Sequence, residues 1–427
     1  MATEPASLGR LTCLDVLRGV AVMGILVMNI NNWGFGRPGY WNAAAIGGAE
    51  GLDLVVWWID TVLAADKMRG LFSLMFGAST LLVIQRATAK SESPAKVHYA
   101  RMITLLILGY AHYALVWRSD ILFLYAACGL LLFAFHKLSP RALWVWAGLF
   151  FLAAIVPMTL QFLPIGLAGY GVMDNPPAGL LEAFRQINLA VGPNSPQTAA
   201  DLALHRSGYA ELFHSRVIDN TFDRVGMIRD EGAETVSLML IGMALFKQGM
   251  LTGEWPISRY RTWASIGLGI GLAGNVLLAV WQLREGMNGY AVLTSHILWS
   301  MPFDFAMSVG YAALVMAWVK SRGASRLIDR IAAVGRMAFT NYLMTSIVMT
   351  SIFYGYGLGL TGRLGRAELF LVVLGMWGLM IAWSKPWLDS YLYGPFEWLW
   401  RSLARAKLQP MRKSPHPRLV PAAHPPA

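Results

Sequence analysis

Long apolar stretches recur along almost the whole of this 427-residue sequence, and they constrain its fold more than any other feature. A helix that crosses the hydrocarbon core of a bilayer needs about 20 residues. Hydrophobic residues make up 56% of the chain and charged residues only 14%, which excludes an ordinary soluble domain. The sequence therefore predicts an all-α, polytopic membrane protein of about ten transmembrane helices. The predicted spans are residues 11–31, 53–84, 101–117, 121–136, 141–163, 233–251, 260–283, 290–318, 331–353 and 367–384.

Basic residues indicate which side of the membrane each loop occupies. The net charge of +11 comes mainly from Lys and Arg in short loops and in the C-terminal tail, a distribution typical of cytoplasmic loops rather than of a nucleic-acid surface. All strongly basic loops lie on the cytoplasmic side if the long run 53–84 is a single broken helix. Two crossings there would put the basic loop 86–101 outside. Both termini are then predicted to be cytoplasmic.

Charged residues interrupt this long second run. Asp66, Lys67 and Arg69 precede Gly70, and irregular backbone at membrane depth is tolerated where it lines a cavity or is buried in protein. We interpret the interruption as part of a passage through the bundle. The alternative is a tilted helix with a snorkelling end.

The pattern divides the chain into four segments. They are an N-terminal transmembrane bundle of five spans (1–163), an exterior loop (164–232), a C-terminal bundle of five spans (233–406) and a disordered basic cytoplasmic tail (407–427). Apolar residues at helical spacing predict an amphipathic helix in the exterior loop. They are Leu202, Tyr209, Leu212, Phe213 and Val217. The histidines among them, His205 and His214, fit a solvated helix face better than a catalytic role.

Ionisable side chains inside or at the rim of the hydrocarbon are costly, and they are therefore the first candidates for function. His112 lies near the end of the third predicted span, and Asp120 follows it across a short turn. Imidazole can take and return a proton near neutral pH. We predict that His112 and Asp120 form a catalytic pair towards the exterior face.

Other polar residues lie near the predicted cytoplasmic ends of the spans. We predict that Arg18, Arg101 and Arg336 bind a phosphorylated cytosolic ligand, because guanidinium groups suit phosphate. Asn341, which lies in the same predicted span as Arg336, is included in this binding site. Asp15 stands three residues before Arg18 on the same helix face. Asp15 has two possible roles. It either neutralises Arg18 or lies along the passage with Asp66, Lys67 and Arg69.

Several longer motifs resemble the YeiB-like family of bacterial inner-membrane proteins, whose C-terminal domain has no known function. The matching stretches are Leu-Asp-Val-Leu-Arg-Gly and its continuation (14–29), then 72–77, 109–125, 335–343, 353–360 and 394–401. The family is similar in turn to transmembrane acyltransferases such as the lysosomal heparan-alpha-glucosaminide N-acetyltransferase, which share the Asp-x-x-Arg-Gly opening.

This resemblance implies a multi-pass protein of the bacterial inner membrane that transfers an acyl group, expected to be acetyl, from cytosolic acyl-CoA to an exterior acceptor. The acceptor is a hydroxyl or amine on a glycan, lipid or small molecule, and no metal is expected. The heparan enzyme carries its catalytic histidine in the loop after the first span. The corresponding residues 31–51 contain no histidine, so His112 is the substitute base in this scheme.

A secondary transporter or permease for a small molecule is the main alternative, because broken helices and buried charges also mark substrate pathways. The sequence shows no internal repeat between its halves, which disfavours that alternative. A non-catalytic assembly protein is a third. The expected partners are membrane lipids, acyl-CoA and the acceptor, and not nucleic acid, with a homodimer left open.

Overall fold

The computed structural model describes residues 4–323 and 325–413, and in those ranges every regular element is a helix. The predicted all-α class is therefore confirmed. The α-helices are α1 (Glu4–Trp41), α2 (Gly51–Ile59), α3 (Lys67–Ala89), α4 (Pro94–Leu115), α5 (Leu122–Phe135), α6 (Pro140–Gly169), α7 (Ala178–Val191), α8 (Gln197–His205), α9 (Tyr209–His214), α10 (Asp223–Lys247), α11 (Ile257–Arg284), α12 (Gly289–Thr294), α13 (Met301–Arg322), α14 (Arg326–Arg336), α15 (Ala338–Phe353), α16 (Arg366–Ser390) and α17 (Pro395–Ala404).

Among the described residues, six helices are long and apolar enough to cross a membrane. They are Thr12–Trp41, Gly51–Ala89, Pro140–Gly169, Ile257–Arg284, Met301–Arg322 and Arg366–Ser390. Helices α5 and α15 are apolar but shorter, and α4 and α10 are long but more polar. The chain is a multi-pass membrane protein by these criteria, whereas the predicted count of ten crossings is not confirmed.

Three predicted spans differ from the helices in the structure. The first does not end at residue 31, because α1 continues to Trp41 through a kink at Gly36, whose φ is 70°. The predicted span 290–318 is divided by a π-helical turn, Ser295–Trp299, and the predicted span 331–353 is interrupted at Met337. An apolar run shows where a chain can be buried, but not where its i→i−4 hydrogen bonds are broken.

Residues 164–232 contain several short helices in place of the single amphipathic helix that was predicted there. Helix α6 extends into it as far as Gly169, α7 follows, and the predicted helix around 202–217 is divided into α8 and α9. Helix α8 ends at His205 because a neighbouring loop binds its last residues: Gly355 N donates a hydrogen bond to the His205 carbonyl, and Arg206 Nε donates to Thr361 O. These long-range contacts override the helical periodicity.

The predicted break in the second span is confirmed, and it lies slightly earlier than residues 66–70. Helix α2 ends at Ile59, a π-helical turn occupies Asp60–Ala64, and Asp66 has a left-handed backbone with φ 59°. Helix α3 begins at the next residue. A continuous tilted helix is thus excluded, because π-turns and left-handed residues interrupt the regular helical ladder.

The C-terminal tail is not disordered from Lys407 as predicted. Residues 407–413 run beside the end of α16, where Leu392 N donates a hydrogen bond to Met411 O over 2.9 Å. Backbone pairing of this kind orders a polar segment that composition alone marks as flexible. The rest of the predicted tail, 414–427, lies outside the described residues.

Glycines allow two helix pairs to approach closely. On α14, a Cβ at Gly335 would lie 1.8 Å from the Asp15 carbonyl oxygen, and on α1 a Cβ at Gly19 would lie 2.3 Å from Ile331 O. On α3, a Cβ at Gly77 would lie 1.9 Å from Met239 O of α10. The Asp-x-x-Arg-Gly motif of α1 therefore packs directly on the 335–343 motif, as small residues permit in membrane bundles.

We expect Gly335→Ala to destabilise the protein by about 1–3 kcal/mol, because the added methyl group meets backbone that cannot rotate away. The matched control is Gly148→Ala in α6, where no atom of another described helix lies within 4 Å of the new Cβ. That control is expected to be neutral or stabilising, since Ala is a better helix former by about 1 kcal/mol. Thermal unfolding of the purified variants measures both, and equal melting temperatures would contradict the close crossing.

Candidate functional site

His112 and Asp120, predicted as a pair from the sequence, are in contact in the structure. His112 Nδ1 and Asp120 Oδ1 are 2.7 Å apart, and the two residues are 5% and 0% exposed. The tight turn after α4 makes this contact, because Val116 N and Trp117 N both donate hydrogen bonds to the His112 carbonyl. The chain then reverses and brings Asp120 back beside the imidazole ring.

Neighbouring groups hold both the carboxylate and the backbone of Asp120 in place. Its Oδ2 accepts a hydrogen bond from Phe123 N over 3.0 Å, at the start of α5. Arg224 Nη1 donates to the Asp120 carbonyl over 2.7 Å, and its guanidinium lies over the Tyr113 ring. An ionised carboxylate accepts the Nδ1–H of His112, which leaves the lone pair on Nε2. Nε2 is buried and has no hydrogen-bond partner among the described residues.

Two adjacent asparagines on α1 contact the turn between His112 and Asp120 on one side and a second polar site, which sequence reasoning missed, on the other. Asn32 Oδ1 accepts a hydrogen bond from Trp117 Nε1 over 2.9 Å. Asn31 Nδ2 donates to Asp60 Oδ2 over 2.6 Å, and Asn31 Oδ1 accepts from Arg366 Nη1 over 2.9 Å. Two amides in succession at the end of an apolar run are the signal that could have revealed this site.

The break between α2 and α3 is surrounded by buried ion pairs. Lys67 Nζ lies 3.1 Å from Asp304 Oδ1 and donates a hydrogen bond to the Thr61 carbonyl over 2.6 Å. Asn275 Nδ2 also donates to Asp304 Oδ1. Lys67 is 2% exposed and Asp304 4% exposed, so both charges are removed from solvent. Asp304, Asn275 and Asp60 were not predicted, because each occurs alone in its own apolar run.

Arg69 forms a separate ion-pair network on the other side of α3. Its Nε lies 3.1 Å from Asp66 Oδ1, its Nη2 lies 2.8 Å from Glu234 Oε1, and its Nη1 lies 3.6 Å from Glu231 Oε2. Arg69 and Lys67 are thus engaged in ion pairs. Neither lines the two clefts at the break, and their place along a passage stays a prediction.

Two adjoining clefts open at the break. The larger encloses about 380 Å³ of space between atoms, including the part open to the outside, and its interior is narrow. The residues that line it are Met28, Tyr40, Trp41, Ala43, Trp57, Asp60, Thr61, Ala65, Asp66, His296 and Arg366. Trp57, Asp60 and Arg366 also line the smaller cleft. His112 lines neither, and of the four predicted passage residues only Asp66 does so.

A group of arginines lies at the opposite end of α1, α3 and α4. Arg18 Nη1 pairs with Asp15 Oδ1 over 2.8 Å, and Nη2 donates to Ser79 Oγ over 2.7 Å. Asp15 therefore neutralises Arg18 and lies far from the break. The Arg101 guanidinium stacks on Trp400 of α17, 4.1 Å from the ring centroid. Arg101 is surrounded by further positive charges, which belong to Arg18, Arg86, Arg401 and Arg405.

The other two predicted ligand-binding residues differ in their surroundings. Arg336 is exposed at the end of α14 and free to meet a ligand. Asn341 is fully buried: its Nδ2 donates hydrogen bonds to Val334 O and Ser384 Oγ, and its Oδ1 accepts from Trp383 Nε1. Asn341 therefore fastens α15 to α16, and the prediction that it binds a cofactor is not supported.

These features define a class of protein, a multi-pass helical membrane protein with buried polar sites around a broken helix. Residues 245–407 match the family model described as "Protein of unknown function (DUF418)". The chain is 29% identical to the uncharacterized protein YxaH of Bacillus subtilis, over 95% of this chain and 96% of that protein. It is also 29% identical to the uncharacterized protein YeiB of Escherichia coli, over 91% and 95% of the two chains. The predicted resemblance to the YeiB-like family is thereby confirmed, whereas its further link to transmembrane acyltransferases stays a prediction. No solved structure gives a significant match.

Proposed function

We propose that this protein is a transmembrane acyltransferase of the bacterial inner membrane, with both termini in the cytoplasm. It would transfer an acyl group, expected to be acetyl, from cytosolic acyl-CoA to a hydroxyl or amine acceptor on the exterior side. The observation that carries the proposal is the buried His112–Asp120 contact of 2.7 Å, with the second imidazole nitrogen left free.

The free nitrogen of His112 has the properties of a general base. Asp120 fixes the tautomer in which Nδ1 carries the hydrogen, and it stabilises the imidazolium that forms during reaction. His112 Nε2 takes the proton of the acceptor's hydroxyl or amine as that oxygen or nitrogen attacks the thioester carbonyl carbon. The carbon–sulfur bond then breaks, its electron pair leaves with sulfur, and the proton returns from Nε2 to give free CoA thiol.

The arginine group suits the phosphates of the acyl donor. Arg18, Arg101 and Arg336 are the proposed phosphate ligands, and Arg86 and Arg401 add positive charge beside Arg101. Arg101 and His112 lie on the same helix, eleven residues apart, which corresponds to about 16 Å along its axis. The donor's phosphates and its thioester would therefore occupy different depths of the bundle. The Asp-x-x-Arg-Gly motif that resembles transmembrane acyltransferases contains Arg18 itself.

We expect CoA and acetyl-CoA to raise the melting temperature of the purified protein, because a ligand at a hundred times its Kd stabilises the native state by about 2.7 kcal/mol. In Arg18→Gln, the ligand concentration that produces the same shift in melting temperature should be at least about tenfold higher. Arg229→Gln is the matched control, since Arg229 forms an exposed pair with Asp230 on α10. If neither CoA nor acetyl-CoA shifts the melting temperature, the proposal that acyl-CoA is the donor is wrong.

A transporter is the second candidate, and one observation favours it. Buried ion pairs and a narrow cleft surround the broken second span, as in many substrate pathways. Protein reconstituted in vesicles distinguishes the two functions. Accumulation of a solute inside the vesicles, together with no thermal response to CoA, would favour transport over acyl transfer.

A further inference from the structure

The larger cleft at the helix break contains two opposite charges that do not pair with each other. Asp60 is 9% exposed and Arg366 is 3% exposed, and both line the cleft. In the described part of the chain neither has a salt-bridge partner. The Asn31 amide lies between them, donating to Asp60 and accepting from Arg366. Arg366 Nη2 also donates to Gly39 O over 2.6 Å, and the two charges lie near enough to attract each other. Neither, however, has a counter-charge in direct contact, and buried charges without one are costly.

Each of the two charged groups also keeps one unsatisfied polar atom. Asp60 Oδ1 and Arg366 Nε are buried and have no hydrogen-bond partner among the described residues. The first can only accept a hydrogen bond while ionised, and the second can only donate one. Asp66 also lines the cleft, but its carboxylate pairs with Arg69. A ligand that satisfies both atoms therefore needs a positively charged hydrogen-bond donor for Asp60 Oδ1 and a negatively charged acceptor for Arg366 Nε.

Aromatic side chains form much of the remaining wall. Tyr40, Trp41 and Trp57 line the cleft, and the Trp41 ring meets His296 at 6.0 Å between centroids. Aromatic faces attract ammonium groups, most strongly where water is excluded. The wall thus complements a cation near Asp60 and also accommodates a small apolar substituent.

We propose that this cleft binds a small zwitterion such as an amino acid, with its ammonium group at Asp60 and its carboxylate at Arg366. A neutral polyol would leave both buried charges without a counter-charge in direct contact. A simple cation or a simple anion would neutralise one of them only. The proposal concerns a site apart from His112, and it holds whether or not the protein transfers acyl groups.

The narrow interior has a consequence for ligand entry. In the conformation described, the cleft has room for about one or two water molecules between its walls. A zwitterion therefore displaces a wall residue when it binds. Trp41 is the wall residue that we expect to move, because its side chain is only half-buried and it lies at the end of α1, after the kink at Gly36. Binding is then expected to change tryptophan fluorescence.

The test uses the full-length protein in lipid nanodiscs and records tryptophan fluorescence and melting temperature with four kinds of probe. The zwitterions are L-alanine and L-leucine, the neutral probe is glycerol, the cation is ethylammonium and the anion is propionate. We expect a saturable response to at least one zwitterion, at a concentration at least tenfold lower than for the other three kinds. Asp60→Asn and Arg366→Gln should each raise that concentration at least tenfold, whereas Glu182→Gln on the exposed face of α7 should not.

Three results would overturn the proposal. They are no response to any zwitterion, an equal response to a singly charged or neutral probe, and unchanged binding in both cleft variants. If a cleft variant fails to fold, the comparison among probes on the unaltered protein still decides the question. Retained zwitterion binding in His112→Ala would show that this site is independent of the proposed catalytic pair.

Discussion

Replacing His112 by Ala is expected to lower the rate of acyl transfer by about 10²–10⁴-fold, because a positioned general base contributes an effect of that size. The variant should still bind CoA, since Arg101 of the arginine group lies about three helical turns away on α4. Asp120→Asn should cause a comparable loss, because an amide can favour the wrong imidazole tautomer. The measurement is acyl-CoA turnover by protein in vesicles, with the CoA-dependent melting temperature recorded in parallel.

A second histidine of α4 provides the matched control. His98 is as buried as His112, at 1% exposed, but its Nε2 makes a hydrogen bond of 2.9 Å with Gly129 O. His98→Ala should therefore affect stability without a comparable loss of turnover. Unchanged turnover in His112→Ala would refute the assignment. Equal losses in the two histidine variants, each with a lowered melting temperature, would show that folding rather than catalysis had been affected.

The largest loss of stability is expected for Asp304→Ala, which leaves the Lys67 ammonium buried without its counter-charge. Removing one partner of a buried ion pair typically costs about 3–5 kcal/mol. Lys67 would keep its hydrogen bond to the Thr61 carbonyl, but Asn275 would also lose an acceptor. Thermal unfolding of the purified variant, compared with the unaltered protein, measures the effect.

Two further variants separate charge burial from packing. In Lys67→Met/Asp304→Leu both charges are replaced by apolar groups, and much of the lost stability should return because no unpaired charge remains. Asp230→Ala removes one partner of an exposed pair whose side chains are 79% and 52% exposed, and it should cost no more than about 1 kcal/mol. Similar melting temperatures for Asp304→Ala and Asp230→Ala would show that the Lys67–Asp304 pair is not a stabilising feature of the fold.

Local chemistry accounts for the features that were predicted correctly. His112 and Asp120 are eight residues apart across a single turn, so their contact depends on a short loop that the sequence already indicates. The break near Asp66 was visible because charged residues in an apolar run violate the composition of a membrane span. In both cases the residues that interact, or that interrupt the helix, are close neighbours in the chain.

The second polar site was missed because its members come from distant parts of the chain. Asn31, Asp60 and Arg366 belong to α1, the π-helical turn and the start of α16, and each looks like an isolated polar residue in its own segment. Asn341 illustrates the opposite error. It was selected for a ligand, whereas packing of α15 against α16 uses its whole amide.

The order of residues determined the helical class, the approximate apolar segments, the broken second span and the His112–Asp120 pair. These follow from hydrophobicity and from contacts a few residues apart. Packing of the bundle decided how far α1 extends, where the spans at 295 and 337 are interrupted and which buried charges become partners. That information arises from pairs such as Lys67 with Asp304, which are 237 positions apart along the chain and meet only when the helices pack.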